Sequence, residues 1–226
     1  MSLHIYRELE QGTDEWLEAR RGIVTASVVG QLVTAKTIKP ADNDYSRALT
    51  MTLAAERITG WSDPVYVNQD MMRGTFEEPI ARDAYAQHMG VDVEEIGFMV
   101  RDDSGFRLGY SPDGLVGDYG LIEIKSRRQK KHLQTILADA VPAENMAQIQ
   151  CGLLVSGRQW CDYVSFCGGM PLYVKRVTPD KRWRDAILAA VNTCEENIAQ
   201  IVATYTERTA GMPLTERSTF DLELVI

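Results

Sequence analysis

The sequence predicts an α/β fold with a central mixed β-sheet flanked by helices. Three observations carry that expectation. Helical patterns dominate the first ninety residues, strand patterns follow as far as residue 125, and the remaining elements then alternate between the two types, as in a layered α/β fold. The 226 residues are 45% hydrophobic and 25% charged, enough apolar material for one large core. No repeat, low-complexity block or Gly-, Ser- or Pro-rich linker interrupts the chain, so residues 1–226 are expected to form a single domain.

In chain order, "GTDEWLEARRG" reads as a short helix with Thr13 as N-cap, Asp14 and Glu15 in the first turn and Gly22 as stop. "TASVVGQLV" reads as a second helix start, with Thr25 or Ser27 at its N-terminus. Residues 45–59 and 75–89 follow as helices, the latter ended by Gly90. "VDVEEIGFMVRD", "FRLGYSPDG" and residues 120–125 read as strands. Pro142 opens a helix in "PAENMAQIQCGLLVSG", where Met146, Ile149 and Leu153 share a stripe. "WCDYVSFC" and "LYVKRV" are two strands paired across "GGMP". The last element is a long helix at about 179–208, with Thr178 as N-cap and Pro179 at N1; some 28 residues span ~42 Å. Its apolar positions, Trp183, Ile187, Val191, Cys194, Ile198, Ile201 and Tyr205, step by four and three.

Charge and composition exclude several classes of function. No stretch approaches the ~20 apolar residues of a membrane span, and no signal peptide opens the chain. Cys151, Cys161, Cys167 and Cys194 form no CxxC, and His4, His88 and His132 are too few for a His-rich zinc site. These features predict a cytosolic protein with reduced thiols and no membrane partner. The net charge of −8 does not advertise nucleic-acid binding, yet the basic groups are unevenly placed. "KSRRQKK", residues 125–131, holds five of them, and Arg20 and Arg21 are adjacent.

The chemistry concentrates in "GYSPDGLVGDYGLIEIK", residues 109–125. Asp113 lies in a Gly- and Pro-marked turn before a strand on which Leu121, Glu123 and Lys125 share one face and Ile122 and Ile124 the other. With the Ile face on a core, Glu123 and Lys125 point together to the opposite side, where Asp113 meets them. Asp113 and Glu123 are hard oxygen ligands suited to Mg²⁺ or Mn²⁺, and Lys125 is placed to offset charge on a phosphate or to position a water. An isolated "ExK" also fits a salt-bridged exposed strand face.

"SPDG…LIEIK" resembles the Asp…Glu-x-Lys core of the restriction-endonuclease-like nucleases. Together with Trp16, Arg20, Gly22, Thr25, Ala26 and Ser27, with "RGTFEEPIAR" and with "MAQIQ", the order of motifs from about residue 10 to 177 resembles the phage lambda exonuclease family, the YqaJ-type viral recombinases. The resemblance implies a restriction-endonuclease-like fold and an exonuclease that degrades double-stranded DNA 5′→3′ from 5′-phosphorylated ends, leaving 3′ single strands for recombination. It implies Asp113 and Glu123 as metal ligands with the Ile124 carbonyl, Lys125 as the catalytic lysine, Glu78 at the metal site and Gln148 near the scissile phosphate, around two Mg²⁺ or Mn²⁺ ions. It implies Arg20, Ser27 and Ser111 at the terminal 5′-phosphate. A homotrimeric ring around DNA, a single-strand annealing protein as partner, and action in the cytoplasm of a bacterial host also follow from it.

Plainer roles exist for several of these residues. Thr75 and Glu78 fit a capping box, Gln148 fits the polar side of an amphipathic helix, and Arg20 can pair with Glu15 or Glu18. Two other functions remain beside the leading one: an endonuclease of the same fold, and a non-catalytic module that binds DNA ends. Residues 34–73 and 126–141 carry no part of the resemblance beyond the basic character of the second segment.

Overall fold

The computed structural model describes residues 2–64, 67–103 and 105–217. Its elements are β1 (Ser2–Tyr6), α1 (Asp14–Arg20), β2 (Val24–Thr25), β3 (Val33–Thr34), β4 (Lys39–Pro40), α2 (Asp44–Thr59), α3 (Gln69–Met89), β5 (Val93–Glu94), β6 (Phe98–Asp103), β7 (Phe106–Tyr110), β8 (Gly114–Val116), β9 (Gly120–Ser126), α4 (Gln129–Ala138), α5 (Ala143–Ser156), β10 (Trp160–Phe166), β11 (Tyr173–Val177) and α6 (Lys181–Arg208). A five-stranded mixed sheet runs β11-β10-β9-β8-β5 and a four-stranded sheet β1-β6-β7-β2, with β3 and β4 as a small hairpin. β9 pairs parallel to β10, the crossover running through α4 and α5, and antiparallel to β8. The architecture is α/β, with mixed sheets flanked by helices, as the sequence predicts.

Two apolar clusters hold the sheet from both sides. The larger joins Leu121, Cys161 and Tyr163 to Ile149 and Leu153 of α5 and to Trp183, Ile187 and Val191 of α6. The smaller packs Ile122, Ile124 and Val164 against Ala81 and Tyr85 of α3. β9 is therefore covered on both faces: Leu121, Ile122 and Glu123 are all fully buried. This corrects the expectation that the Glu123 face is open; β9 is a central strand, and α5 closes over the side opposite α3.

The helices differ from the sequence reading in instructive ways. α1 begins after Thr13, whose hydroxyl accepts from the Trp16 N–H, as expected. No helix forms at "TASVVGQLV". Val24 and Thr25 pair with Leu108 and Gly109, the Ala26 N–H donates to the Gly109 carbonyl at 2.8 Å, and only a three-residue 3₁₀ turn follows at Val29–Gln31. Pinning to β7 competes with helix formation there, and β-branched valines and Gly30 give a helix little intrinsic support. α3 starts six residues before the expected 75, because Asn68 caps it by accepting from the Met71 N–H at 3.0 Å. Thr75 lies inside that helix and donates to the Met71 carbonyl, so the capping-box reading of Glu78 falls away.

α6 starts at Lys181, not at Pro179. The Gln150 side chain donates to the Thr178 carbonyl at 2.9 Å and accepts from the Asp180 N–H at 2.8 Å, holding that segment extended. Asp180 then caps the helix by accepting from the Arg182 N–H at 2.7 Å. β1, β2, β3, β4, β8 and α4 have no counterpart in the sequence reading. Among the described residues no helix is long and apolar enough to cross a membrane.

Candidate active site

The turn between β7 and β8 places two functions two residues apart. Ser111 and Asp113 straddle Pro112, so their Cα atoms are at most about 7 Å apart. Asp113 faces β9 and its Oδ2 accepts from the Ile124 N–H at 2.6 Å. Glu123, fully buried, sends Oε1 to within 2.6 Å of Lys125 Nζ, while Oε2 accepts from the Tyr110 hydroxyl at 3.5 Å. Tyr110 is seated by Gly152 of α5: a Cβ at that position would lie 2.7 Å from the Tyr110 ring, so only glycine lets the hydroxyl reach Glu123.

Asp113 and Lys125 open onto a cleft of about 580 Å³ whose lining also includes Glu78, Ile124, Arg127 and Lys131, while Glu123 and Tyr110 lie buried behind it. A larger apolar groove between α2 and α6, about 1020 Å³, shares no lining residue with it. The chemistry belongs to the smaller cleft, where the titratable groups converge.

The cleft perturbs its own titration. Burial, and then the neighbouring Glu123, push the Asp113 carboxyl well above the usual carboxylate range. Burial likewise raises Glu78, against the pull of Arg82. Burial works against the Lys125 ammonium, but the Glu123 and Asp113 carboxylates outweigh it and hold the group charged.

The donor set bears on which cation fits. Among the described residues no three His, Cys, Asp or Glu side chains are grouped at metal-binding spacing. Glu78 is turned instead to Arg82, 2.6 Å away. Asp113 and Glu123 nonetheless present carboxylate oxygens close together, and burial followed by the Glu123 charge disfavours an ionised Asp113. Glu123 Oε1 is buried with no aligned hydrogen-bond donor, only the Lys125 ammonium beside it. Such oxygens, with a main-chain carbonyl at Ile124, suit a hard divalent cation.

Three residues outside the expected set shape the cleft. Arg82, its side chain only 11% exposed, donates to the Asp113 carbonyl at 2.8 Å and pairs with both Glu78 and Glu95. It sits at i+4 from Glu78, a spacing visible in the sequence, whereas its bond to Asp113 is not. Tyr110 was hidden in a strand pattern. Arg127 donates to Asn145 of α5 at 2.6 Å and keeps Nε buried without a hydrogen-bond partner. Gln148, expected near the scissile phosphate, is half-buried on α5 and is not among the cleft-lining residues.

On the other side of Pro112 the expected phosphate residues come together. The Arg20 guanidinium lies over the Trp16 ring, 4.0 Å from its centroid, and donates to Thr25 Oγ1 at 3.3 Å and Ser27 Oγ at 3.2 Å. Trp16 Nε1 donates to Ser111 Oγ at 3.0 Å. The Glu15 and Glu18 pairings offered as alternatives for Arg20 are not made. The helix expected to lend Ser27 its N-terminus is absent, so the anion-binding character of this corner rests on Arg20 and the hydroxyls.

The sheet order and the Asp…Glu-x-Lys cleft define a nuclease fold of the restriction-endonuclease-like class. Within it the chain belongs to the YqaJ-like viral recombinase family, whose domain matches residues 15–159. Among solved structures it is similar to an alkaline exonuclease, LHK-Exo, from Laribacter hongkongensis, at 31% identity and a TM-score of 0.79 over 89% of this chain and 100% of that one. The same exonuclease in complex with dAMP matches at 32% identity and a TM-score of 0.77, with the same coverage. A phage-related exonuclease from Haemophilus somnus 129PT shares the fold, with 12% identity and a TM-score of 0.66 over 81% of this chain and 96% of that one. No curated protein matches the chain. The protein is a nuclease of the exonuclease type.

Proposed function

We propose that the protein is a divalent-metal-dependent exonuclease that degrades double-stranded DNA 5′→3′ from 5′-phosphorylated ends, leaving 3′ single strands for recombination. The observation that carries this reading is the shared turn: Ser111 belongs to the Arg20 corner and Asp113 to the carboxylate cleft. A terminal phosphate held at Arg20, Thr25 and Ser27 would therefore sit on the Ser111 side of the turn whose other side carries Asp113. An exonuclease needs that juxtaposition; an endonuclease of the same fold does not, and an end-binding module has no use for the acids. The relative solved with dAMP, a mononucleotide of the kind an exonuclease of either polarity releases, supports the exonuclease part of this reading.

Asp113, Glu123 and the Ile124 carbonyl would hold Mg²⁺ or Mn²⁺, which supplies an acidified water and polarises the scissile phosphate. Arg20 binds the end with a planar, bidentate fork whose stacking on Trp16 fixes its orientation. Lys125 stays an ammonium and offers charge to the phosphorane oxygens. Arg82 steadies the Asp113 main chain, and Arg127 lines the cleft beside Lys125. A ring of three subunits suits a chain of net charge −8, because closure keeps DNA inside by topology while the basic run 125–131 faces it. The 3′ strand so produced calls for an annealing protein in the bacterial cytoplasm. The decisive assay compares linear duplex with and without 5′-phosphate against a closed circle, in Mg²⁺ and in EDTA. The reading expects rapid, Mg²⁺-dependent loss of the 5′-phosphorylated duplex alone; rapid cutting of the circle would overturn it.

A further inference from the structure

We propose that Asp70 is an internal competitor for the DNA backbone, an anion that holds the cleft arginines until an entering strand displaces it. Its Oδ1 accepts from Arg73 Nη1 at 2.8 Å and from Arg128 at 2.9 Å, through both Nε and Nη2. Arg73 stands on α3 and Arg128 just before α4, so one carboxylate joins the two rims of the cleft. All three residues line that cleft, together with Glu78, Asp113 and Lys125.

The arrangement copies the contact a phosphate would make. Two guanidinium groups converging on one carboxylate oxygen are equally suited to one phosphate oxygen. Lys131 is treated alike, its Nζ lying 2.5 Å from Glu144. Arg73, Arg128 and Lys131 are thus already paired with acids inside the molecule. Asp70 and Arg128 are both more than half exposed, so the pair is weak enough to exchange. Helix stability alone does not ask for this geometry: an acid at the second position of α3 favours the dipole without reaching across to Arg128.

The consequence is a common cost. Every strand that enters the cleft, with or without a terminal phosphate in the Arg20 corner, displaces Asp70, so Asp70 weakens both by the same factor. A 5′-phosphorylated end keeps its advantage from the second site. This inference rests on the exonuclease reading, since it needs the strand to pass through the cleft.

The test is a comparison of binding constants in Ca²⁺, with 5′-hydroxyl and 5′-phosphorylated linear duplex as probes, across a salt series. Asp70→Asn should tighten binding of both by roughly threefold to tenfold, the range set by one or two exposed ion pairs. It should also steepen the salt dependence, because salt no longer helps to free the arginines. In an Arg128→Ala background the Asp70→Asn gain should shrink to about half or less. Unchanged or weaker binding by Asp70→Asn, or a gain undiminished without Arg128, would overturn the proposal. Digestion of linear duplex by the wild-type protein in Mg²⁺ is read separately: its absence would sink the exonuclease reading, and its presence beside a failed Asp70 result would leave that reading standing.

Discussion

The Ile124 amide donates to Asp113 Oδ2 at 2.6 Å, and that bond fixes one carboxylate to the strand that carries the other. Asp113 cannot turn away from Glu123 without breaking it. The enforced proximity is also why burial and Glu123 raise the Asp113 carboxyl. Two acids held this close are a cost to the fold that a bound cation would offset.

Asp113→Asn should therefore abolish cleavage and stabilise the metal-free protein. The sign follows from linkage. A carboxyl raised in the folded state destabilises that state once pH passes its ordinary value near 4, and increasingly up to its folded value. Wild type in EDTA should lose Tm relative to Asp113→Asn across that window, and the gap should close on adding Mg²⁺. Each kcal/mol recovered moves Tm by about 2–4 °C in a chain of this size. Thermal unfolding of both proteins at several pH values checks it; equal Tm throughout would show that the acids are not strained.

Cleavage itself should rise with pH under the proposed mechanism, because Asp113 and Glu78 would serve a metal ion only when ionised and both carboxyls are raised. Initial rates at saturating Mg²⁺ should fall as pH drops through the raised carboxyls. A rate flat from mildly acidic to alkaline pH would contradict this.

Arg20→Ala should slow digestion of 5′-phosphorylated duplex by roughly 10- to 100-fold, the loss of a charge-assisted contact. Ends with a 5′-hydroxyl should be slow substrates for both proteins. Arg20→Lys should recover little, since an ammonium neither stacks on Trp16 nor spans Thr25 and Ser27. Rates on the two kinds of end, measured side by side, decide the matter.

Arg82→Ala should cost about 2–4 kcal/mol of stability, because it leaves Glu78 and the Asp113 carbonyl without their partner. Its rate defect should be partial, as no metal ligand is removed. Denaturant unfolding beside single-turnover rates separates the two effects; full stability with no activity would place Arg82 in the chemistry itself.

The assembly is expected to be a trimer. Light scattering should give three times the 25.3 kDa chain. A monomer that still digests long duplex processively would rule out the ring.

The local chemistry was legible in the residues because it is local. A turn marked by Gly and Pro, a period-2 strand and an Asp…Glu-x-Lys order predict which side chains share a face, and the structure has Glu123 and Lys125 side by side as that spacing demands. Thr13, Gly90 and the stripe from Trp183 to Ile198 likewise followed from caps and periodicity. Contacts between distant segments were not legible in that way. The helix expected at "TASVVGQLV" was lost to pairing with β7, and the start of α6 moved because Gln150 reaches across to Thr178 and Asp180. Burial of Glu123, the clasp of Arg82 on Asp113 and the bridge from Asp70 to Arg128 all join residues far apart in the chain. Residue order alone determined the chemical groups and the short-range geometry that each segment can adopt. The fold decided which segments meet, because packing and desolvation depend on neighbours that chain spacing does not encode.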